Sequence, residues 1–460
     1  MANYPGVHIS EKKNLSLSNN GMSGLHPLLV GRFYHSDGTP RSLKDGVFSV
    51  SNWLEFSQIC HSNAIYVVVD ENGTRIDGSG QDETASAEGA DQTKRVKNSR
   101  KKQAEVSEDV EDAPLELLAD DFNPDVLALR HFFDNGGGAC SLLSIAPDDN
   151  IAEIPAILAD HDDISLYAAI GSEYEDINSQ LDNVLRNNPL SFLVASNSKL
   201  TNVTFVNNTL TAQYGPDLIT GYQFVFSDDS VWVRESADKP LKLLSSLQTT
   251  NKELYKTIKD AIGQPAYPEE FANGVTLPAA AAVAGAYCRN ERQRGIWKAP
   301  ANIVLVNAAP TMVVTPDRHG SLNEAGINLI VREPVRGTVI MGARTGELPS
   351  KTAWRYVPVR LLFNAVERDI RQMMLPVVFE PNSQATWQSV TNGINNYLYD
   401  LWRKGGLFGT NSSSAWQVDV GFNTMSDADF ENGILRVRIG LAALSPAEFI
   451  EVEFSPGAVA

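Results

Sequence analysis

Apolar residues follow two alternating patterns along the chain. Recurrence every three to four residues predicts amphipathic helices over 51–61, 123–135, 180–186, 251–262 and 360–374, and one that opens at Pro381. Short apolar or β-branched runs predict strands over 25–33, 64–69, 139–145, 165–171, 415–422, 433–441 and 448–455. The interleaving of helices and strands predicts an α+β fold of the mixed α/β kind.

Two regions depart from this pattern. Residues 70–114 have almost no large apolar side chains and hold a basic run, 94–102, between acidic flanks. Such a composition cannot offset its ordering entropy, so we expect a mobile surface insertion; the alternative is a hook for nucleic acid or a partner. Residues 196–250 predict a β-rich lobe, with strands at 201–210, 221–227 and 230–234.

Both ends of the chain have the pattern of strands set apart from the body. The block 4–9 precedes a polar connector at 14–24, and the block 448–455 alternates apolar and acidic residues. A lone strand cannot pair its own backbone groups, so it must join a sheet of its own chain or of a neighbour. The side chains of such inter-subunit arms would be Tyr4, Val7, Ile9, Phe449, Ile450, Val452 and Phe454.

The predicted helix 360–374 has an apolar face and a mostly basic face. The basic face carries Arg360, Arg368 and Arg371. Residues 289–371 hold 13 Lys and Arg against 7 Asp and Glu, although the whole chain has a net charge of −18. A basic segment in an acidic protein suggests a face for an acidic partner, and internal salt bridges are the alternative.

Size and charge exclude some classes of protein. With 460 residues the chain is long enough for two or three domains. The acidic net charge argues against binding nucleic acid or anionic membranes, because both attract a basic face. No stretch approaches the roughly 20 apolar residues of a membrane helix. The three cysteines, Cys60, Cys140 and Cys288, fit reduced thiols in a cytoplasmic product.

No catalytic, cofactor-binding or metal-binding pattern is recognisable. The seven histidines are scattered, without a His-Glu-x-x-His or Cys-x-x-Cys set. A nucleophile elbow and a phosphate-binding loop with Gly-Lys-Ser/Thr are also absent. The acidic pair in His161-Asp162-Asp163 is interpreted as a solvated turn. We therefore expect no catalytic, cofactor or metal residue, and no enzymatic activity.

Several distinctive blocks occur in a fixed order. They are Tyr-Pro-Gly-Val at 4–7, an Ala-rich run closed by Trp-Lys-Ala-Pro-Ala-Asn at 278–302, Leu-Asn-Glu-Ala-Gly-Ile-Asn at 322–328, Gly-Ala-Arg-Thr at 342–345, Trp-Arg-Tyr at 354–356 and Pro-Ala-Glu-Phe-Ile at 446–450. Together they resemble the contractile tail sheath proteins of phage tails, R-type bacteriocins and extracellular contractile injection systems. The resemblance is strong over 278–455 and fair over 1–35 and 123–145.

The resemblance implies a multi-domain subunit. Its parts would be an N-terminal arm and connector at 1–24, middle and outer domains at 25–349, an inner domain of helices on a β-sheet at 350–446, and a C-terminal arm at 447–460. The mobile insertion at 70–114 and the β-rich lobe at 196–250 lie within the segment 25–349 and depart from the family pattern.

The resemblance also implies a structural function. The subunit would polymerise as stacked hexameric rings around an inner tube and contract to drive the tube through a target envelope, with toxin delivery as one use. Arg360, Arg368 and Arg371 would face the tube. Its partners would be other copies, the inner tube protein, the baseplate and terminator or cap proteins. Assembly would occur in the bacterial cytoplasm, and the product would be a virion or a released extracellular particle.

Two other interpretations stay open. The chain could be another self-assembling tail, baseplate or shell component, which the order of the blocks at 278–455 disfavours. It could also be a soluble α/β enzyme or carbohydrate-binding protein, which would need a concave site with convergent polar groups.

Overall fold

The computed structural model describes residues 24–61, 65–68, 122–171, 173–201, 203–224, 227–235, 239–263, 274–347 and 353–448. The predicted insertion at 70–114 and all but one residue of the strand candidate at 448–455 lie outside these ranges. So do all seven predicted arm residues, which run from Tyr4 to Phe454.

The described residues form helices and strands that interleave, as the sequence predicts. The strands are β1 (Pro27–Gly31), β2 (Phe48–Val50), β3 (Ile65–Val68), β4 (Cys140–Ser144), β5 (Leu166–Ala169), β6 (Phe192–Ser196), β7 (Thr211–Gly215), β8 (Leu218–Thr220), β9 (Val231–Arg234), β10 (Lys242–Leu243), β11 (Val275–Leu277), β12 (Ile303–Val304), β13 (Ala309–Pro310), β14 (Ile327–Glu333), β15 (Gly337–Ile340), β16 (Trp416–Val420) and β17 (Val437–Leu441). The helices are α1 (Trp53–Ile59), α2 (Pro124–Asp134), α3 (Ile154–Ile157), α4 (Tyr174–Asn187), α5 (Leu244–Thr250), α6 (Lys252–Gly263), α7 (Ala279–Arg294), α8 (Pro316–Glu324), α9 (Val357–Met374), α10 (Gln384–Arg403), α11 (Ser412–Ala415) and α12 (Asp427–Glu431).

A nine-stranded sheet organises the body. Its order is β12-β15-β14-β7-β6-β5-β1-β4-β2. The six strands from β14 to β4 are parallel, and β2, β15 and β12 join them antiparallel at the edges. Because β4 lies on one side of β1 and β5 on the other, the chain reverses its winding direction at β1.

Helices cover both faces of this sheet. Along β1, Leu28 and Val30 pack into one core with α3 and α4, whereas Leu29 packs into a second core with α2 and α7. All three side chains are fully buried. Strands buried on both faces are typical of parallel sheets, and this explains why the strand segments are continuous apolar runs.

The Ala-rich run 279–286 forms the buried part of α7, and small residues allow that helix to approach α2 closely. A Cβ placed on Gly285 would lie 2.3 Å from the carbonyl oxygen of Phe132 in α2. The helix α2 begins at the N-cap Asn123 and ends at Asn135, before the three glycines. The prediction of a helix over 123–135 and a turn at the glycines is confirmed.

The predicted strand at 201–210 is wrong. Residues 203–207 are irregular because the Asp182 carboxylate of α4 accepts the backbone N–H groups of Val206 (2.7 Å) and Asn207 (3.0 Å). A strand would need those donors for its ladder. The predicted strand 221–227 is also absent over 221–224, where the N–H of Gly221 donates to the side chain of Asn307 at 2.7 Å.

The strands of the segment 196–250 belong to three different sheets. Strand β7 lies inside the nine-stranded sheet, β8 pairs with β11 and β13, and β9 pairs with β3 and β10. Of the strands predicted there, only 230–234 is found in the described residues, as β9, and the strands of the segment join elements from distant parts of the chain.

The last described part of the chain, 353–448, contains two long helices and a two-stranded sheet. The predicted helix 360–374 begins earlier, at Val357, with Pro358 in its first turn, where proline is tolerated. Strand β16 pairs antiparallel with β17, and one face of this pair packs towards α10. We call residues 357–443 the carboxyl-terminal unit.

Candidate assembly interface

The sequence blocks at 322–328 and 342–345 meet in space through one buried amide. Asn328 is fully buried, and its Nδ2 donates to the carbonyl oxygens of Gln213 (3.0 Å) and Arg344 (2.7 Å). Its Oδ1 accepts the N–H of Arg344 at 2.7 Å. Both blocks are thereby fixed against β7 of the central sheet.

The carboxylate of Glu448, the last described residue, joins three of the blocks. Glu448 Oε2 lies 2.6 Å from Arg344 Nη2 and 3.1 Å from Arg344 Nε, and it accepts from the Tyr356 hydroxyl at 3.2 Å. Glu448 Oε1 accepts from Asn323 Nδ2 at 2.8 Å. We call these four residues the Glu448 clasp. It ties the chain where it enters the carboxyl-terminal unit to the chain where it leaves.

The surroundings of Glu448 keep it charged. Burial alone would raise the pKa of its carboxyl, but the hydrogen bonds from Arg344, Asn323 and Tyr356 outweigh burial and lower the pKa below the usual value. The side chains of Arg344 and Glu448 are only 12% and 19% exposed, so solvent weakens this pair less than a surface ion pair.

The three arginines on the basic face of α9 have different surroundings. Arg360 donates to Asn364 Oδ1 at 2.6 Å, lies 3.5 Å from Glu367 Oε1, and stacks on the Trp354 ring at 4.2 Å. Its side chain is 11% exposed. These contacts of Arg360 all lie within its own chain.

Arg368 and Arg371 contact the amino edge of the parallel strands. Arg368 is buried, and its Nη2 donates to the carbonyl oxygen of Leu190 at 2.6 Å, just before β6. Arg371 lies 3.6 Å from the Asp162 carboxylate, and both side chains are about two-thirds exposed. Arg368, although on the predicted basic face of the helix, is therefore not exposed, because its guanidinium packs against the turn before β6. The tube-facing role of the three arginines stays a prediction.

The two-stranded sheet leaves backbone groups for a further strand. Within the part of the chain that the structure describes, β16 and β17 pair only with each other, so each has one outer edge. Exposed strand edges are templates for pairing with another chain. Residues of the predicted arms lie outside the described ranges, so the structure does not place them at these edges.

A Ser–His–Asp arrangement lies at the amino edge of the central sheet. His26 Nδ1 is 3.0 Å from Asp163 Oδ2, and His26 Nε2 is 3.1 Å from Ser141 Oγ. No sequence pattern predicted this arrangement, because the three residues lie far apart in the chain. Ser141 is only 2% exposed and shares its hydroxyl with Ser49, so it cannot reach a substrate in this arrangement. The trio instead ties the starts of β1, β4 and β5 together.

At the carboxyl edge of the sheet, protein side chains fill the position where doubly wound folds commonly bind ligands. Buried Asp125 sits at the switch point beside β1 and β5, where its Oδ2 accepts the N–H of Arg32 at 2.7 Å. A Cβ on Gly171 would lie 2.6 Å from the same oxygen. The carboxylate occupies the space that a bound ligand would need.

The described ranges offer neither a metal site nor a membrane-spanning helix. Those residues contain no group of three or more His, Cys, Asp or Glu side chains arranged to hold a metal ion. None of their helices has the length and apolar character needed to span a membrane.

Comparison with known proteins identifies relatives for the whole chain. A family model, the phage tail sheath C-terminal domain, matches residues 350–455. The solved anti-feeding prophage helical sheath in the contracted state is similar, with a TM-score of 0.67 and 26% identity over 99% of this chain and 100% of that chain. No match is found among curated protein sequences.

Two further solved structures are similar over the same extent. One is the contracted sheath complex of an extracellular contractile injection system, PVC, with a TM-score of 0.65 and 25% identity over 100% of this chain and 99% of that chain. The other is the anti-feeding prophage baseplate, with a TM-score of 0.63 and 26% identity over 99% of this chain and 100% of that chain. The family model over residues 350–455 and the near full-length likeness to sheath chains together support the function of a contractile tail sheath subunit for this protein.

Proposed function

We propose that this subunit polymerises as stacked hexameric rings around an inner tube and contracts to drive the tube through a target envelope, with toxin delivery as one use. The observation that carries the proposal is the near full-length likeness to two sheaths in the contracted state. Contraction would need no catalytic group, because larger contacts between subunit bodies in the contracted state would supply the free energy.

Terminal arms would keep the polymer connected while the bodies move. The arms at 1–24 and 447–460 would pair with the outer edges of β16 and β17 in neighbouring copies, a β-augmentation joint. A two-stranded sheet is marginal by itself, so added strands would complete it. Each main-chain hydrogen bond contributes only about 1 kcal/mol net, but many bonds per subunit would hold the lattice.

The inner domain, 350–446, would contact the tube through α9. Arg371 is the most exposed of the three arginines predicted to face the tube, with 67% of its side chain exposed. Arg360 and Arg368 would support it from partly buried positions. Weak, salt-sensitive pairs with an acidic tube suit a contact that must release during contraction.

Substituting Arg371 by Glu tests this tube contact. The variant should pull down less inner tube protein than the wild type at low salt. Arg318→Glu is a matched control, because Arg318 is an exposed arginine on α8. If both variants lose tube binding equally, or if neither loses it, Arg371 is not part of the tube contact.

The remaining partners would be the baseplate and a terminator or cap protein, besides other copies and the tube. Nucleic acid and a membrane-inserted state are not expected of the acidic chain. Assembly in the bacterial cytoplasm, followed by incorporation in a virion or release as an extracellular particle, agrees with three buried, free cysteines.

The subunit would act without catalysis. The arrangement that most resembles a hydrolase centre, Ser141 with His26 and Asp163, has its nucleophile buried. A fluorophosphonate probe should therefore leave Ser141 unlabelled in the native protein. If the wild type is labelled and the Ser141→Ala variant is not, the result would support the enzyme alternative.

Electron microscopy of the purified protein tests the proposed assembly. Hollow helical tubes are expected, and discrete globules at every concentration and salt condition would contradict it. A variant that lacks residues 1–20 should remain folded and fail to form long tubes. If the truncated chain forms normal tubes, the N-terminal arm is not needed for assembly.

A further inference from the structure

An apolar knob projects from the loop between α9 and α10. Phe379 is fully exposed, at 102%, and adjacent Val378 is 59% exposed. The loop is held in place, since the N–H of Glu380 donates to the carbonyl oxygen of buried Val377 at 3.0 Å. Phe379 has φ +70°, a conformation that bulky residues rarely adopt. A strained backbone that presents an aromatic ring to solvent is typical of a binding surface.

A cleft of about 590 Å³ lies beside the Glu448 clasp. Trp297, Met341 and Tyr356 are among the residues that line it, together with the exposed side chains of Arg294 and Lys298 and the carboxylate of Glu448. The cleft therefore offers both apolar side chains and two cationic ones. The sequence blocks at 278–302 and 342–345 supply most of its wall.

The knob cannot reach the cleft of its own chain. Tyr356, in the cleft wall, immediately precedes α9, and Phe379 follows the end of the same helix. The helix has 18 residues, which at 1.5 Å rise per residue separates its ends by about 27 Å. A rigid helix thus carries the two surfaces at opposite ends.

We propose that the Phe379 knob of one copy docks in the cleft of a second copy, a contact that rests on the proposed sheath function. The chemistry is complementary: the Phe379 ring would contact Trp297 and Met341, and the exposed Glu380 carboxylate would pair with Arg294 and Lys298. Knob and cleft are different surfaces, so the contact is heterologous and repeats from copy to copy. Such contacts build rings or helical filaments, in agreement with a sheath.

Disulfide trapping tests the contact directly. A chain with Phe379→Cys and Met341→Cys should form a ladder of disulfide-linked multimers when tubes are oxidised. The three natural cysteines are buried and should not interfere. The matched control places the first cysteine at Val335, a 95% exposed residue in the β14–β15 turn, and should give no ladder.

The outcomes separate this contact from the sheath function itself. If the unmodified chain forms no tubes, the proposed function fails. If tubes form and the paired cysteines give no ladder, or give only a link within one chain, the knob contact is overturned and the sheath function stands. A ladder of equal strength from the Val335 control would also overturn it.

A second measurement does not depend on engineered cysteines. Aromatic residues at interface centres contribute strongly, so Phe379→Ser should raise the protein concentration needed for tube formation by about tenfold or more. Val335→Ser should leave it unchanged. Glu380→Lys should weaken assembly, and the added changes Arg294→Glu and Lys298→Glu should restore it. An unchanged threshold for Phe379→Ser, or no restoration by the charge swap, would contradict the contact.

Discussion

At the scale of single residues, burial decides what a charged side chain contributes. The arginines of α9 illustrate this, because Arg368 and Arg371 are three residues apart in sequence, yet Arg368 is buried whereas 67% of the Arg371 side chain is exposed. Buried Arg368 provides a donor to the carbonyl oxygen of Leu190, whereas Arg371 makes a solvent-screened pair with Asp162. Charge alone therefore does not tell which arginine serves the fold and which is available to a partner.

The two arginines should respond differently to truncation. Arg368→Ala should lower the free energy of unfolding by about 1–3 kcal/mol, because it removes a buried side chain and leaves the partly buried Leu190 carbonyl without its donor. Arg371→Ala should change it by less than about 0.5 kcal/mol. Urea denaturation of the unassembled subunit measures both, and equal effects would contradict the assigned roles.

Asp217 should make stability depend on pH near neutrality. Burial raises the pKa of this carboxyl to about 7, although the N–H of Ala279 and the Tyr174 hydroxyl favour its charged form. In the unfolded chain the pKa is near the ordinary 3.8. The native state therefore holds a proton that the unfolded state has lost, and stability falls as pH rises from about 4 to about 7.

The variant Asp217→Asn should remove this pH dependence. Its free energy of unfolding should exceed that of the wild type most at pH 8, by no more than about 4 kcal/mol, and the advantage should shrink towards pH 4. Denaturant titrations across this pH range give the comparison. If the free energies of unfolding of the two proteins change in parallel with pH, Asp217 is not the group responsible.

At the scale of elements, close backbone approach fixes the packing of α7 on α2. Alanine favours a helix interior over glycine by about 1 kcal/mol, so propensity alone would make Gly285→Ala stabilising. The added Cβ would lie 2.3 Å from the Phe132 carbonyl oxygen. Because that oxygen is part of the backbone, it cannot move aside without displacing α2. We expect destabilisation by about 1–3 kcal/mol.

Gly320 offers the matched control. It lies in α8, and a Cβ there would meet nothing within 4 Å. Gly320→Ala should therefore stabilise the subunit by up to about 1 kcal/mol. Thermal melts of the two variants should shift in opposite directions. A shift of the same sign in both would show that the α2–α7 contact does not limit the size of residue 285.

The Glu448 clasp should hold the last described segment to the body. Glu448→Gln removes the charge that Arg344 binds, so backbone amides at 444–448 should exchange hydrogen about tenfold faster at neutral pH, as expected for loss of about 1.4 kcal/mol. Hydrogen exchange with mass spectrometry measures this. Glu367→Gln, on the exposed face of α9, should leave that segment unchanged, and equal acceleration in both variants would contradict the clasp.

The same clasp has a defined response to acid. Because the pKa of Glu448 is lowered in the folded state, its stabilisation is present above the ordinary value of 4.5 and is lost as pH falls through the lowered pKa. Exchange at 444–448, corrected for the intrinsic rate, should rise in acid for the wild type and stay level for Glu448→Gln.

At the scale of the whole molecule, local signals predicted elements well and long-range contacts poorly. The helix α2 was predictable because Asn123 caps it, Pro124 starts it and glycines follow it. The strand at 201–210 was not, because Asp182 from α4 takes its backbone donors. The helix α9 was predicted, but burial of Arg368 depends on a carbonyl from the distant turn before β6.

The candidate interface was also only partly predictable. The blocks that contain Asn323, Arg344, Tyr356 and Glu448 stood out in the sequence, each with a polar or charged residue. Nothing local indicated that these four side chains converge. Neither the Phe379 knob nor the cleft was predicted from the sequence, because the exposure of a side chain depends on the folded chain.

Cryo-electron microscopy of an assembled tube, at a resolution that traces the chain ends, locates the terminal strands. We expect strands from neighbouring copies to lie along the outer edges of β16 and β17. Both tails folded back onto their own molecule within an intact tube would contradict it.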